Sequence, residues 1–137
     1  KLKGQDGYKI DFSYDQMVMV EADEYKIFQV IYNLVNNAIN YTGDDKQIWV
    51  RQIVREDGYV RIEVTDSGEG IAPEALPYVW DRYYKVDKTH KRAVMGTGLG
   101  LSIVKNILEL HDARYGVESE VGKGSTFWFE LKVYQIV

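Results

Sequence analysis

Gly96-Thr97-Gly98-Leu99-Gly100-Leu101 sets three glycines at alternate positions and leads directly into a pattern at Leu101, Val104, Ile107, Leu108 and His111. That spacing predicts a helix over 101–111 whose first turn follows a stretch poor in side chains. Such a junction offers unpaired backbone N–H groups and the positive end of the helix dipole, an arrangement suited to phosphate. Two further features join it. Asp66-Ser67-Gly68-Glu69-Gly70 closes a strand-like run, and Asn33, Asn36, Asn37 and Asn40 crowd a single helical stretch. Together they read as a nucleotide site.

Asp23 is the expected N-cap of that asparagine-bearing helix, which runs from Glu24 to about Tyr41. Ile27, Val30, Ile31, Leu34, Ala38 and Tyr41 define its buried face, while Gln29, Asn33, Asn37 and Asn40 form a stripe beside it with Asn36 at the outer edge. Asparagine in a helix interior costs up to ~0.7 kcal/mol relative to alanine, so four in one helix call for a reason. Their amide carbonyls are hard, neutral oxygen ligands suited to Mg²⁺ or to phosphate-bound water. A solvated polar face is the plain alternative, and the two glycine-rich elements weigh against it.

Alternating residues predict two strands across 8–22, around Asp15-Gln16. A hairpin follows, with Ile48, Val50, Gln52 and Val54 on one arm, Asp57-Gly58 at the turn and Val60, Ile62 and Val64 on the return. It delivers Asp66 to a strand end. There the carboxylate either accepts from an exocyclic amine, with Gly68 and Gly70 letting backbone lie flat against a planar base, or simply caps a glycine turn. Residues 71–83, with Pro73, Pro77, Tyr78, Trp80 and Tyr83, are expected to form short helical turns.

From Lys85 to Met95 the pattern dissolves into a basic stretch expected to be a mobile loop, which either closes over polyphosphate or is only solvated. Strands at Arg114–Glu120 and 126–133 complete the count, joined by Val121-Gly122-Lys123-Gly124-Ser125. The expected fold class is α+β, a two-layer α/β sandwich of about three helices on one face of a mixed, largely antiparallel sheet.

The chain of 137 residues suits a single domain, 1–137, and its net charge of -4 gives no general attraction to nucleic acid or anionic membrane. Phosphate chemistry must therefore come from local groups. The sequence has no cysteine, hence no disulfide framework or thiolate chemistry, and no apolar run approaching ~20 residues, so no membrane contact is expected of it. A start at Lys1 rather than Met suggests an excised fragment. Other nucleotide motifs fail. The stretch Gly116 to Lys123 has the wrong spacing for a P-loop, and Gly124 stands where a Ser or Thr would hold Mg²⁺. There is no His-Arg-Asp or Asp-Phe-Gly run, and the glycine spacing does not fit a dinucleotide fingerprint. His90 is placed in the loop and His111 near a helix end, neither with a metal or triad arrangement.

Taken in order, Asn33-Leu34-Val35-Asn36-Asn37-Ala38, Asp66-Ser67-Gly68-Glu69-Gly70, Trp80-Asp81-Arg82-Tyr83-Tyr84 and Gly96-Thr97-Gly98-Leu99-Gly100-Leu101 resemble four boxes of one family. They are the N box, first glycine box, F box and second glycine box of the ATP-binding catalytic domain of sensor histidine kinases. That family shares a superfamily with gyrase, heat-shock chaperones and MutL. The resemblance covers essentially the whole chain. It implies a Bergerat-type fold with ATP and Mg²⁺ as cofactors, Asn37 on the metal and Asn33 beside it. It implies further that Tyr41 flanks the adenine, Asp66 accepts from its amino group, and Gly68 and Gly70 give the base room. Gly96, Gly98 and Gly100 are expected to wrap the phosphates and Thr126 to reach the base through water. The implied nucleotide-binding set also takes in Asn40, Ile71, Tyr84, Lys85, Thr97, Leu99 and Leu101, with Asn33, Asn37 and Lys85 as the catalytic group.

Several positions depart from the family pattern. Asn40 stands where a phosphate-contacting Lys is frequent, Lys85 where Arg is frequent, Trp80 where Phe is usual, and Asp112-Ala113 where Gly-Gly is common. By resemblance, the activity is transfer of the γ-phosphate to a histidine on a separate dimerisation domain, with a response regulator downstream. The fragment is expected to be monomeric and cytoplasmic, within a dimeric, membrane-anchored parent. A hydrolase of the same superfamily would carry a Glu one helical turn before the metal-binding Asn, where this chain has Asn33, which has no useful basicity. A silent nucleotide-binding module is the remaining alternative, supported by Asn40 and Lys85.

Overall fold

The computed structural model describes residues 7–81 and 100–136. Its elements are β1 (Lys9–Tyr14), β2 (Val18–Val20), α1 (Glu24–Tyr41), β3 (Gln47–Val54) and β4 (Tyr59–Asp66). They continue with a 3₁₀ turn (Leu76–Tyr78), α2 (Gly100–Leu110), β5 (Arg114–Glu120) and β6 (Gly124–Ile136). The six strands form one sheet in the order β1-β3-β4-β6-β2, with β5 also paired to β6. Among the described residues only β1 and β3 run parallel; the other pairings are antiparallel. The two strands expected across 8–22 thus exist, yet they lie at opposite ends of the order.

About three helices were expected; among the described residues there are two α-helices and the 3₁₀ turn, which is all that the stretch after Pro73 forms there. Two prolines close together deny that stretch the backbone donors of a longer helix. Lys85, Tyr84 and the turn from Gly96 to Leu99 fall outside the described residues.

Helix α1 begins where expected because the Asp23 side chain accepts from the Lys26 N–H at 3.1 Å. It ends at Thr42, whose N–H returns to the Ala38 carbonyl at 2.8 Å. The buried residues are Val30, Leu34, Val35 and Ala38. Val35 joins the core beyond the expected face, while Ile27, Ile31 and Tyr41 are half-buried.

Helix α2 buries Val104, Ile107 and Leu108 and stops at Asp112, which adopts φ +52° where glycine is the usual occupant. On one sheet face, Ile10, Ile48, Val50, Val60, Val64, Phe127, Phe129 and Leu131 meet these helix residues in a single core. Trp80 closes one end, edge-on to Tyr115 at 5.1 Å and Phe127 at 5.5 Å.

The opposite sheet face is charged and aromatic. Glu130, only 3% exposed, is met there by Arg55, Arg61 and Arg114, and the Arg61 guanidinium lies 4.0 Å from the centre of the Trp128 ring. The buried carboxylate is therefore compensated on several sides, which its burial requires.

Phe129 is completely buried at the centre of β6, between β4 and β5. Phe129→Ala is expected to lower unfolding free energy by about 3–5 kcal/mol in urea titration, the cost of a large cavity between the two layers.

Candidate functional site

Strand β4 delivers Asp66 into the sheet between Ile48 of β3 and Ser125 of β6. Strand alternation turns its carboxylate to the same side as Val60 and Val64, toward the helices. Asp66 is 3% exposed and, among the described residues, has no cationic partner; its Oδ1 accepts from the Gly68 N–H at 2.8 Å. Burial pushes the carboxyl up to about 6, although the backbone N–H groups of Gly68 and Ser125 act in the opposite direction. At neutral pH it is an ionised acceptor held on a low-dielectric wall.

The turn after Asp66 lies against the end of α1. A Cβ on Gly68 would run into the Tyr41 carbonyl oxygen, so only glycine permits this approach. Thr42 and Ser67 secure the contact. The Thr42 hydroxyl donates to the Gln47 carbonyl at 2.8 Å and lies 3.2 Å from Ser67 Oγ, which donates to Asp45 at 2.5 Å. That last bond holds the Asp45 carboxyl below its ordinary range. Further along, the Ile71 N–H donates to Ser119 Oγ at 2.7 Å and the Gly122 N–H to the Glu69 carbonyl at 2.7 Å. The glycine box is thereby fastened to α1 on one side and to the β5–β6 turn on the other.

The asparagine stripe leads away from this turn. Asn33, Asn37 and Asn40 are half-buried and Asn36 is exposed, as the helical wheel requires. Among the described residues, no hydrogen bond or ion pair engages the Asn33, Asn37 or Asn40 side chains, so their amide oxygens are available to a ligand.

Helix α2 packs beside α1 in the reverse direction. His111, just past its end, accepts the Asp23 N–H at Nε2 over 3.0 Å, with Nδ1 2.9 Å from the Ile107 carbonyl. With one ring nitrogen accepting, the other carries the proton and donates to Ile107: a neutral imidazole spanning the two helices. Helix α2 begins at Gly100, at the end opposite His111, and the Asp66 turn lies against the end of α1 at Tyr41. Leu101 starts that helix half-buried.

Thr126 is placed differently from expectation. It pairs in register with Thr65, and their hydroxyls lie 2.9 Å apart on the sheet face away from the helices. The residue in register with Asp66 is its neighbour Ser125, buried at 6% exposure, with its hydroxyl 2.8 Å from that of Ser119. Adjacent strand residues face opposite ways, so a one-residue difference moves the hydroxyl through the sheet. The alternation of 125, 127, 129 and 131 carried that signal in the sequence.

A metal here would have neutral ligands. Among the described residues, no three His, Cys, Asp or Glu side chains cluster to hold an ion, whereas Asn37 offers an amide oxygen and a bound polyphosphate would bring the charge. The donor set therefore fits a metal that arrives with a nucleotide. The buried carboxylate of Asp66 and the close backbone approach at Gly68 likewise fit a flat base.

Among the described residues, no helix is long and apolar enough to cross a membrane. Residues 22–135 match the family described as histidine kinase-, DNA gyrase B- and HSP90-like ATPase. Drug sensory protein A of a Synechocystis strain is 42% identical over 118 residues, covering 80% of this chain and 18% of that protein. Sensor protein SrrB of Staphylococcus aureus is 42% identical over 127 residues, covering 91% of this chain and 21% of that protein. The chain spans about a fifth of the length of these curated relatives.

The catalytic domain of histidine kinase ThkA superposes with TM-score 0.73 at 33% identity, over 90% of this chain and 78% of that one. Full-length ShkA, solved in complex with AMPPNP, gives 0.79 at 28% identity, over 96% of this chain and 27% of that one. The mycobacterial sensor histidine kinase MprB, at 23% identity, shares the fold with TM-score 0.80 over 93% of this chain and 86% of that one. With a family match over most of its length and sensor kinases among its relatives, the chain belongs to the histidine kinase-, DNA gyrase B- and HSP90-like ATPase family.

Proposed function

We propose that residues 1–137 are the ATP-binding catalytic domain of a longer sensor histidine kinase. In this reading the domain binds Mg·ATP and presents the γ-phosphate to a histidine on a separate dimerisation domain of the same parent. A response regulator takes the phosphoryl group onward, and the parent is a dimer anchored at a membrane with this domain on the cytoplasmic side. The observation that carries the reading is the buried Asp66 carboxylate, which has no cationic partner among the described residues and lies at the end of an asparagine-striped helix. The nucleotide complex of ShkA supports it by analogy.

Each described residue then has a task. Asp66 accepts from the exocyclic amine of the base, in a cleft that Gly68 keeps free of side chains. Ser125, in register with Asp66, takes the role first assigned to Thr126. Ile71 and Tyr41 wall the base, and Asn37 supplies an amide oxygen to the metal, with Asn33 and Asn40 alongside. The α2 N-terminus at Gly100 and Leu101 meets phosphate oxygens with backbone N–H groups. The glycines from Gly96, with Thr97, Leu99, Tyr84 and Lys85, lie outside the described residues and keep the roles the resemblance gives them. When bound, Mg·ATP supplies the phosphoryl group and the charge neutralisation; the chain itself contributes position and donors. Asn33 in place of an acidic residue favours transfer over hydrolysis, because no base stands there to activate water.

Asp66→Ala is expected to weaken ATP binding roughly 10- to 150-fold with the fold retained, the range for a hydrogen bond to a charged group. Calorimetry at pH 8 measures it, and unchanged affinity removes the base assignment. In the wild-type domain, affinity should be level above pH 7 and decline as pH falls through about 6, where the carboxyl takes up a proton and ceases to be an acceptor-only group. Asp66→Ala should lose that decline.

Asn37→Ala should bring nucleotide affinity in Mg²⁺ down to its value in EDTA. A Mg²⁺ dependence as large as in the wild type would move the metal elsewhere. The full-length parent incubated with labelled ATP should acquire acid-labile phosphohistidine. Tight binding with no such product leaves a silent nucleotide-binding module, and free phosphate alone identifies a hydrolase.

A further inference from the structure

We propose that the exposed aromatic seam of α1, formed by Tyr25, Phe28 and Tyr32, is the docking surface for an amphipathic helix elsewhere in the parent polypeptide, outside residues 1–137. The inference rests on the reading above that the parent is longer than this chain. The three side chains are 87%, 64% and 45% exposed, and the Phe28 and Tyr32 rings stack at 6.3 Å with 25° between their planes. The intramolecular work of α1 is done by Val30, Leu34, Val35 and Ala38 on another face. The aromatics are thus surplus to the core, and leaving them in water forgoes the largest apolar burial a side chain can contribute.

Their spacing identifies the shape of the occupant. Positions 25, 28 and 32 are separated by three and then four residues, the two-per-heptad seam of helices packed side by side. A helix interior offers no free backbone groups for an added strand, so an extended peptide would gain only side-chain contacts here. Glu21, Asp23 and Glu24 are exposed at the near end of the seam, which calls for basic residues at the facing end of the partner helix.

Area decides between a free partner and a tethered one. The three rings expose on the order of 400 Å² together, using ~200 Å² for a whole aromatic side chain. A stable interface between separate molecules needs about 800 Å² from each side, so a second copy meeting seam to seam falls well short. A helix within the same polypeptide does not face that requirement, because tethering supplies an effective concentration in the millimolar range. The curated relatives carry about four fifths of their length outside the matched region, ample chain to furnish such a helix.

The test uses the full-length parent with Phe28→p-benzoylphenylalanine, irradiated and digested, with cross-linked peptides located by mass spectrometry. Glu56→p-benzoylphenylalanine, in the exposed turn between β3 and β4, is the control. The expected product joins residue 28 to a helical segment outside 1–137, at least fivefold more abundant than from residue 56. Glu24→p-benzoylphenylalanine, one turn before Phe28, should give the same product alone and lose it when combined with Tyr25→Ser, Phe28→Ser and Tyr32→Ser, while ATP affinity of the parent stays within twofold. Cross-links confined to residues 1–137 of another copy, a yield equal to the control, or a gene encoding nothing beyond this chain would each overturn the proposal. ATP affinity of the unsubstituted parent separates the two readings: its absence sinks the nucleotide site, while its presence without the cross-link sinks only the docking surface.

Discussion

A carboxylate removed from water is costly, and the arrangement around Asp66 answers that cost with geometry where the described residues offer no countercharge. Backbone N–H groups of Gly68 and Ser125 face it, and those donors exist there only because the chain turns sharply after β4 and because β6 runs in a fixed register alongside. The turn depends on a residue without Cβ where the α1 carbonyls come close. The register depends on the apolar alternation of β4 and β6 against the helices. One buried acid thus ties together a helix end, a glycine turn and the two central strands of the sheet.

The two helices are held in the matching position by a different device. His111 receives the Asp23 N–H and reaches the Ile107 carbonyl, so the N-cap of α1 and the last turn of α2 share one imidazole. The asparagine stripe runs along α1 toward the Asp66 turn, which lies against the helix end at Tyr41. Most of this framework is backbone and packing; few of the site side chains support it.

Helix α1 was legible in the sequence nearly to the residue, since Asp23, a sustained 3.6 period and Thr42-Gly43 all agree. The β3–β4 hairpin was equally legible from Asp57-Gly58 between alternating runs. Partners distant in sequence were not: nothing local in Lys9–Tyr14 says that it pairs in parallel with β3, or that Val18–Val20 pairs with the end of β6. The hydroxyl beside Asp66 was missed for a related reason. Ser125 shares the core-facing alternation of 127, 129 and 131, but a glycine on each side of Lys123 blurs where the strand begins and so hides that the pattern reaches 125. The link from His111 to Asp23 spans 88 residues and leaves no trace in either local pattern.

The pairing of Val18 with Ile136 ties one of the first strands to the last. Closure of the sheet along that edge is therefore impossible on a ribosome until the far end of this region has left the exit tunnel. With synthesis running at ~5–20 residues per second, α1 and its aromatic seam emerge several seconds before their layer is complete. Throughout that interval the face of α1 carrying Val30, Leu34, Val35 and Ala38 lacks the last strand of the sheet that buries it.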